Sequence, residues 1–350
     1  MTLIPHSRPT LGASELESLG PVIRSGMIAQ GPMTARFETN FSQTFDLGQG
    51  AAVSSGSAGL HLALLALAVG PGDEVIIPSF VCTAVLNAVN YVGATPVPAD
   101  IDPETFNIDP RDVEKRFSPR TKAMIVPHLF GLPADMDGLL KLDIPIVEDC
   151  AQAIGGQYGN RPLGGFGRLA VFSFYATKVM TTGEGGMVTS RDEALIERVR
   201  DLREYDNRTD YRLRYNYKMS DLQAALGLSQ LKRVNEFIRR RRFIAQRYAE
   251  ALDRFGITLP RQDPGCIFYR YVVRMPDDVG YWIAFLSRQG VVCARPVFKP
   301  LHRYLGLRGY PQSDAVWRSA MSIPIYPSLS HAEIGRIIGV LEGCLEKTLS

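Results

Sequence analysis

Residues 169–190 read LAVFSFYATKVMTTGEGGMVTS. The apolar, β-branched and aromatic run from Leu169 has the composition of a buried strand. It leads to one lysine, Lys178, and then to a glycine-rich turn that holds a single acid, Glu184. A lone lysine is ordinarily a solvated surface charge. What this one does depends on what the rest of the chain places around it.

Outward from this stretch, short apolar runs alternate with helical patterns between about residues 50 and 190. Strands are predicted over 51–55, 74–79, 95–101, 123–130, 145–150, 169–174 and 186–190, and helices over 57–69, 83–92, 109–117 and 191–204. Such alternation predicts an α/β domain with a mainly parallel sheet covered on both faces. Ligands of such sheets collect at the carboxyl ends of the strands. Asp149, the turn Ser54–Ser57 and the segment Ser173–Lys178 all close predicted strands. Residues 219–256 then read as one long helix or two abutting ones, with Ser220 as N-cap. Residues 258–350 read as a smaller α+β unit, with strands over 267–275 and 290–296 and helices over 281–289 and 331–347. The expected division is 1–240 and 241–350.

Composition excludes several classes. The 350 residues are 45% hydrophobic and 21% charged, which is ordinary for a globular protein and enough for a core without staples. A net charge of +3 is too mild to argue for nucleic acid or membrane. The basic run 233–248 reads as the solvated face of a helix or as a patch for an anion. Five cysteines without a C-x-x-C pair argue against a zinc site or a disulfide framework and fit a reducing compartment. No signal-like leader is visible, and the apolar segment 59–70 is too short to span a bilayer. The expectation is a soluble, cytoplasmic protein with no metal.

Three motifs carry chemistry. AAVSSGSAGLHLALLAL (51–67) runs strand, small-residue turn, helix; the helix N-terminus offers free N–H groups to a phosphate, although such turns are also plain N-caps. PIVEDCAQAIGG (145–156) ends a strand in Asp149 with Gln152 beyond it. A buried acid there needs a partner, and a pyridinium N–H is one; capping the next helix is the alternative. Lys178, at the mouth of a dry site, can serve as a nucleophilic amine that forms a Schiff base with an aldehyde. Ser173 can offer its hydroxyl to a phosphate. Together, in this order, they match what pyridoxal 5′-phosphate (PLP) demands.

VSSGSAGLHLAL, VEDCAQAIGGQYG, FSFYATK with TTGEGGMV, and NYKMSDLQAALGLSQL resemble the DegT/DnrJ/StrS family of PLP-dependent sugar aminotransferases. The likeness covers nearly the whole chain. It implies the aspartate-aminotransferase-like fold (fold type I) with a smaller C-terminal domain. It implies Lys178 as the cofactor-anchoring and catalytic lysine, Asp149 as partner of the pyridine nitrogen and Gln152 near the ring's 3-hydroxyl. Ser57, Ala58 and Ser173 stand at phosphate contacts. Asn216 stands where the family reaches the phosphate from the neighbouring subunit, so a homodimer with shared active sites is implied. Glu184 and His302 stand near the substrate sugar. One position departs: the family stacks an aromatic residue on the ring where this chain has Cys82, and Phe80 is the other residue able to approach.

The implied reaction takes an amino group from an amino acid donor, glutamate or glutamine, to a nucleotide-linked 3-keto or 4-keto sugar. Arg203, Arg208, Arg212, Arg214 and Lys218 are candidates for its diphosphate. The rival readings are a keto-cyclitol acceptor, a PLP-binding regulatory protein, and sugar dehydration, for which relatives replace the lysine by histidine.

Overall fold

A computed structural model describes residues 3–276 and 278–349. Its strands are β1 Gln49–Val53, β2 Glu74–Pro78, β3 Thr95–Ala99, β4 Thr121–Pro127, β5 Ile146–Asp149, β6 Gln157–Tyr158, β7 Arg161–Pro162, β8 Leu169–Ser173, β9 Gly186–Ser190, β10 Tyr271–Arg274 and β11 Ala320–Ile323. Seven form one sheet in the order β1-β9-β8-β5-β4-β2-β3. The pairs from β3 to β8 are parallel, while β9 runs antiparallel to both β8 and β1. The seven strands predicted between 50 and 190 are all present, within a few residues at their ends. Every residue of β8 is buried, as a strand packed on both faces must be. On one face lie the helices Gly56–Ala66, Thr83–Tyr91 and Glu193–Arg203; on the other lie Pro32–Phe45 and the start of Asp221–Leu252.

The helix Asp221–Leu252 is single and 32 residues long. Ser220 caps it reciprocally with Gln223: the Ser220 hydroxyl accepts from the Gln223 N–H at 3.3 Å, and the Gln223 side chain accepts from the Ser220 N–H at 2.9 Å. Asp221 also caps a second helix. Its carboxylate accepts the N–H groups of Gly31, Met33 and Thr34 at 2.8–3.1 Å, at the start of Pro32–Phe45, where Gly31 has no side chain to do so. Along its length the long helix leaves one core, through Leu231, Val234 and Ile238, and enters another, through Ile244, Ala245, Tyr248 and Leu252.

Three expectations change. GVVCARP (290–296) forms only isolated bridges, Val291 with Ile4 and Ala294 with Ser322, because its partners are single residues and its Pro ends any ladder. The strand expected over 267–275 is limited to 271–274, since Ile267 and Arg270 donate instead to the carbonyls of Gly131 and Phe130. In the basic run, Arg241 is buried rather than solvated. The helix Ala13–Ser25 and the helix Pro32–Phe45 were not predicted. Among the described residues no helix is long and apolar enough to cross a membrane.

Candidate active site

The site grows from strand ends. In the parallel pair β5–β8, Asp149 lies opposite Val171, so the end of β5 sits beside Ser173 at the end of β8. The helix Gly56–Ala66 enters from the same edge. Its N-cap, Ser55, accepts the N–H of Ala58 at 3.1 Å, leaving Gly56 and Ser57 with N–H groups that no turn of the helix can satisfy. This N-terminus is pressed against the sheet: a Cβ on Gly56 would lie 2.9 Å from Cβ of Ser173, and one on Gly186 would lie 2.7 Å from the carbonyl of Ser55. The turn, Ser173 and Gly186 thus form a cradle of backbone N–H and one hydroxyl. It suits a phosphate at a helix N-terminus.

Asp149 is buried, and its Oδ1 accepts the N–H of Ala151 at 3.0 Å. Burial raises its pKa, opposed in part by that bond and by the nearby Lys178. A buried carboxyl held by so little fits a cationic ring N–H as partner, so the residues present fit PLP. Cys82 stands at the N-cap position of Thr83–Tyr91, reachable by solvent yet recessed. The surrounding protein and then Asp149 push its thiol up, while Lys178 pulls it down. Phe80, by contrast, is fully buried in the core. Gln152 uses its Oε1 to accept the Phe130 N–H at 2.9 Å, which turns its amide nitrogen outward as the donor end. Lys178 is half-buried, with Nζ 5.2 Å from the centroid of the Tyr269 ring. Tyr269 arrives from far along the chain and has no motif, so sequence reasoning missed it.

The predicted substrate residues are placed unevenly. Glu184 is exposed, while its carbonyl is fixed by Thr182 Oγ1 at 2.5 Å and Gln223 Nε2 at 2.8 Å. Asn216 is exposed on a segment that runs along the phosphate turn, where Ser54 donates to the carbonyl of Tyr217 at 2.8 Å and Val53 bridges Lys218. Lys218 is ion-paired with Asp206. Arg203 is buried against Glu38 at 2.5 Å, Arg214 pairs with Asp201 and Asp210, Arg212 with Asp210, and Arg208 with Asp201 and Glu204. His302 is buried with both ring nitrogens engaged, by Ser79 at 2.6 Å and Asp314 at 3.2 Å, and its ring stacks on Tyr310.

A second polar cluster lies deeper. His128, Glu148 and Cys150 bring their ligand atoms within 4.8 Å of one another. Ala134 donates its N–H to His128 Nδ1 at 3.1 Å, so Nε2 carries the proton and donates to Glu148 at 3.1 Å. Glu148 also accepts the N–H groups of Gly164, Phe166 and Gly167 at 2.6–2.8 Å. Burial opposes its charge, yet His128 and these N–H groups outweigh it and hold the carboxyl below its ordinary range. The cluster fixes the loop between β7 and β8.

The chain matches the DegT/DnrJ/EryC1/StrS aminotransferase family over residues 9–342. It is 35% identical to a GDP-perosamine synthase of Caulobacter vibrioides, covering 90% of this chain and 91% of that protein. The crystal structure of the aminotransferase TlmJ from Streptoalloteichus hindustanus superposes with a TM-score of 0.94 at 33% identity, covering 99% of this chain and 100% of that one. The Streptococcus pneumoniae protein Spr1654, solved in its PLP form, superposes with a TM-score of 0.93 at 29% identity, covering 99% of this chain and 100% of that one. The family match over nearly the whole chain and the likeness to a structure solved with PLP agree: the chain belongs to the DegT/DnrJ/EryC1/StrS aminotransferase family and is a PLP-dependent aminotransferase.

Proposed function

We propose that the chain transfers an amino group from an amino acid, glutamate by preference, to a nucleotide-linked keto-sugar in amino-sugar biosynthesis. The observation that carries this reading is the cradle of Gly56, Ser57 and Ser173 at the end of β8, beside the buried Asp149 at the end of β5 and ahead of Lys178 in the turn that follows. The acceptor class is supported by the similarity to a GDP-perosamine synthase.

Each residue then has a task. The N–H groups of Gly56 and Ser57 and the Ser173 hydroxyl hold the cofactor's phosphate, with Ala58 a small neighbour whose N–H Ser55 already occupies. Asp149 keeps a proton on the ring nitrogen, Gln152 offers its amide to the ring hydroxyl, and Cys82 packs its sulfur against the ring. When bound, PLP supplies an electron sink for the carbon that loses its proton. Lys178 anchors the cofactor, and its Nζ takes the proton from the donor's Cα and delivers one on the acceptor's side. Both tasks require a neutral amine for part of the cycle. Glu184, exposed on its fixed turn, and Lys218 approach the sugar nucleotide. His302 acts by holding Ser79 at the end of β2.

The active unit in this reading is a homodimer with Asn216 serving the partner's phosphate site. Supporting it, Tyr211, Leu213 and Tyr205 beside Asn216, and Leu16 and Ile23 on the helix Ala13–Ser25, are large apolar side chains left exposed. The chain divides at residues 1–240 and 241–350, where the long helix passes between cores, and it works in the cytoplasm. Purified enzyme loaded with PLP and given glutamate should aminate a GDP-linked keto-sugar, seen as a mass change in the product. Bound PLP without amino exchange from any donor would sink the proposal. Light scattering should give twice the chain mass.

A further inference from the structure

Tyr269 is nearly fully buried, and three cations converge on its ring. Lys178 Nζ lies 5.2 Å from the ring centroid, Arg270 Cζ 5.0 Å and Arg241 Cζ 5.8 Å. Among the described residues neither guanidinium pairs with a carboxylate. Arg241 donates instead to the carbonyls of Tyr269 at 3.0 Å and Ile325 at 2.7 Å, and Arg270 reaches His6 Nδ1 at 2.9 Å. The hydroxyl of Tyr269 accepts from Arg270 Nη2 at 3.4 Å. Burial alone would raise its pKa; Lys178, Arg270, the nearby Thr177 side chain and Arg241 together lower it to about 8. The backbone around it is equally fixed, since Ile267 and Arg270 donate to the loop that holds Gln152 through Phe130.

We propose that Tyr269 is a positioning residue for Lys178: its buried ring seats the lysine amine. The proposal rests on Lys178 being the working amine. An amine that is freed from the cofactor and must later return needs a defined resting place, and an aromatic face is a weak, reversible seat for it. The buried Arg241 keeps that face in place by holding the Tyr269 carbonyl.

The test uses the apoprotein, so it does not depend on turnover. Trace acetic anhydride labelling, read by peptide mass spectrometry, gives the ratio of Lys178 to the exposed Lys141. Tyr269→Leu should raise that ratio about fivefold, and Tyr269→Phe, which keeps the ring, by no more than about twofold. If Tyr269→Leu matches the wild type, or if the Phe and Leu variants label alike, the proposal is overturned. In the loaded enzyme, Tyr269→Leu should enlarge the isotope effect with Cα-deuterated glutamate while leaving KM for the acceptor unchanged; an unchanged isotope effect also overturns it. Borohydride reduction that fixes cofactor mass on a residue other than Lys178 would instead refute the reading of Lys178 itself.

Discussion

Gly186 and Ser55 touch backbone to backbone: a Cβ on Gly186 would stand 2.7 Å from both the carbonyl carbon and oxygen of Ser55 and 2.9 Å from the Gly56 nitrogen. No flexible side chain is there to yield. Gly186→Ala should therefore push the phosphate turn off the sheet. We expect PLP affinity to fall by about tenfold or more, with a stability loss of roughly 1–3 kcal/mol. Titration of the apoprotein with PLP, beside a thermal melt, measures both; an unchanged Kd would contradict the cradle.

Asp149 offers a test through pH. Its pKa is raised by burial, so the native apoprotein binds a proton more readily there than the unfolded chain does. That contribution is fully present below the ordinary value of 3.8 and is lost as pH rises through the native value. At neutral pH the buried charge is a cost to the apoprotein. Asp149→Asn should raise apoprotein stability near neutrality, with the advantage vanishing in acid, while PLP-dependent activity collapses. Denaturant melts across the pH range check the sign.

Cys82 is the only exposed thiol of the five. With its pKa raised, it should react slowly with maleimide, and the four buried cysteines should not react until the protein unfolds. Bound PLP should protect it. Mass spectrometry that finds Cys82 labelled equally with and without cofactor would place the ring elsewhere.

Glu148 satisfies three backbone N–H groups and His128 within the core. Glu148→Leu strands those donors and should cost about 3–5 kcal/mol, with the loop 163–168 becoming protease-sensitive. Glu148→Gln keeps one acceptor oxygen and should cost less. Chemical denaturation orders the two variants, and equal losses would mean the oxygen atoms are not what holds the loop.

Much of this was legible in residue order. Apolar runs of strand length gave the sheet, because a parallel strand buried on both faces has little room for polar residues, as β8 illustrates. Asp149 and Ser173 could be placed at strand ends because they close such runs, and the small residues around Ser57 at a helix N-terminus because close packing there tolerates little else. The helix Pro32–Phe45 was not legible: its first turn depends on Asp221, nearly two hundred residues away. The strand expected at 290–296 failed for the same kind of reason, since alternation marks a strand only when an edge exists to pair with it.

The sequence by itself determined the class of fold, the family and its cofactor chemistry, since these follow from local pattern and from motifs in order. Only the tertiary structure decided which charges are free to act. Arg203 looks in sequence like a diphosphate ligand and is instead locked on Glu38, and His302 looks like a sugar contact and is spent on Ser79 and Asp314. Tyr269, silent in sequence, lies against Lys178. The physical reason is that a side chain's partners are set by packing between distant segments, and one with its hydrogen bonds already made has little left to offer a ligand.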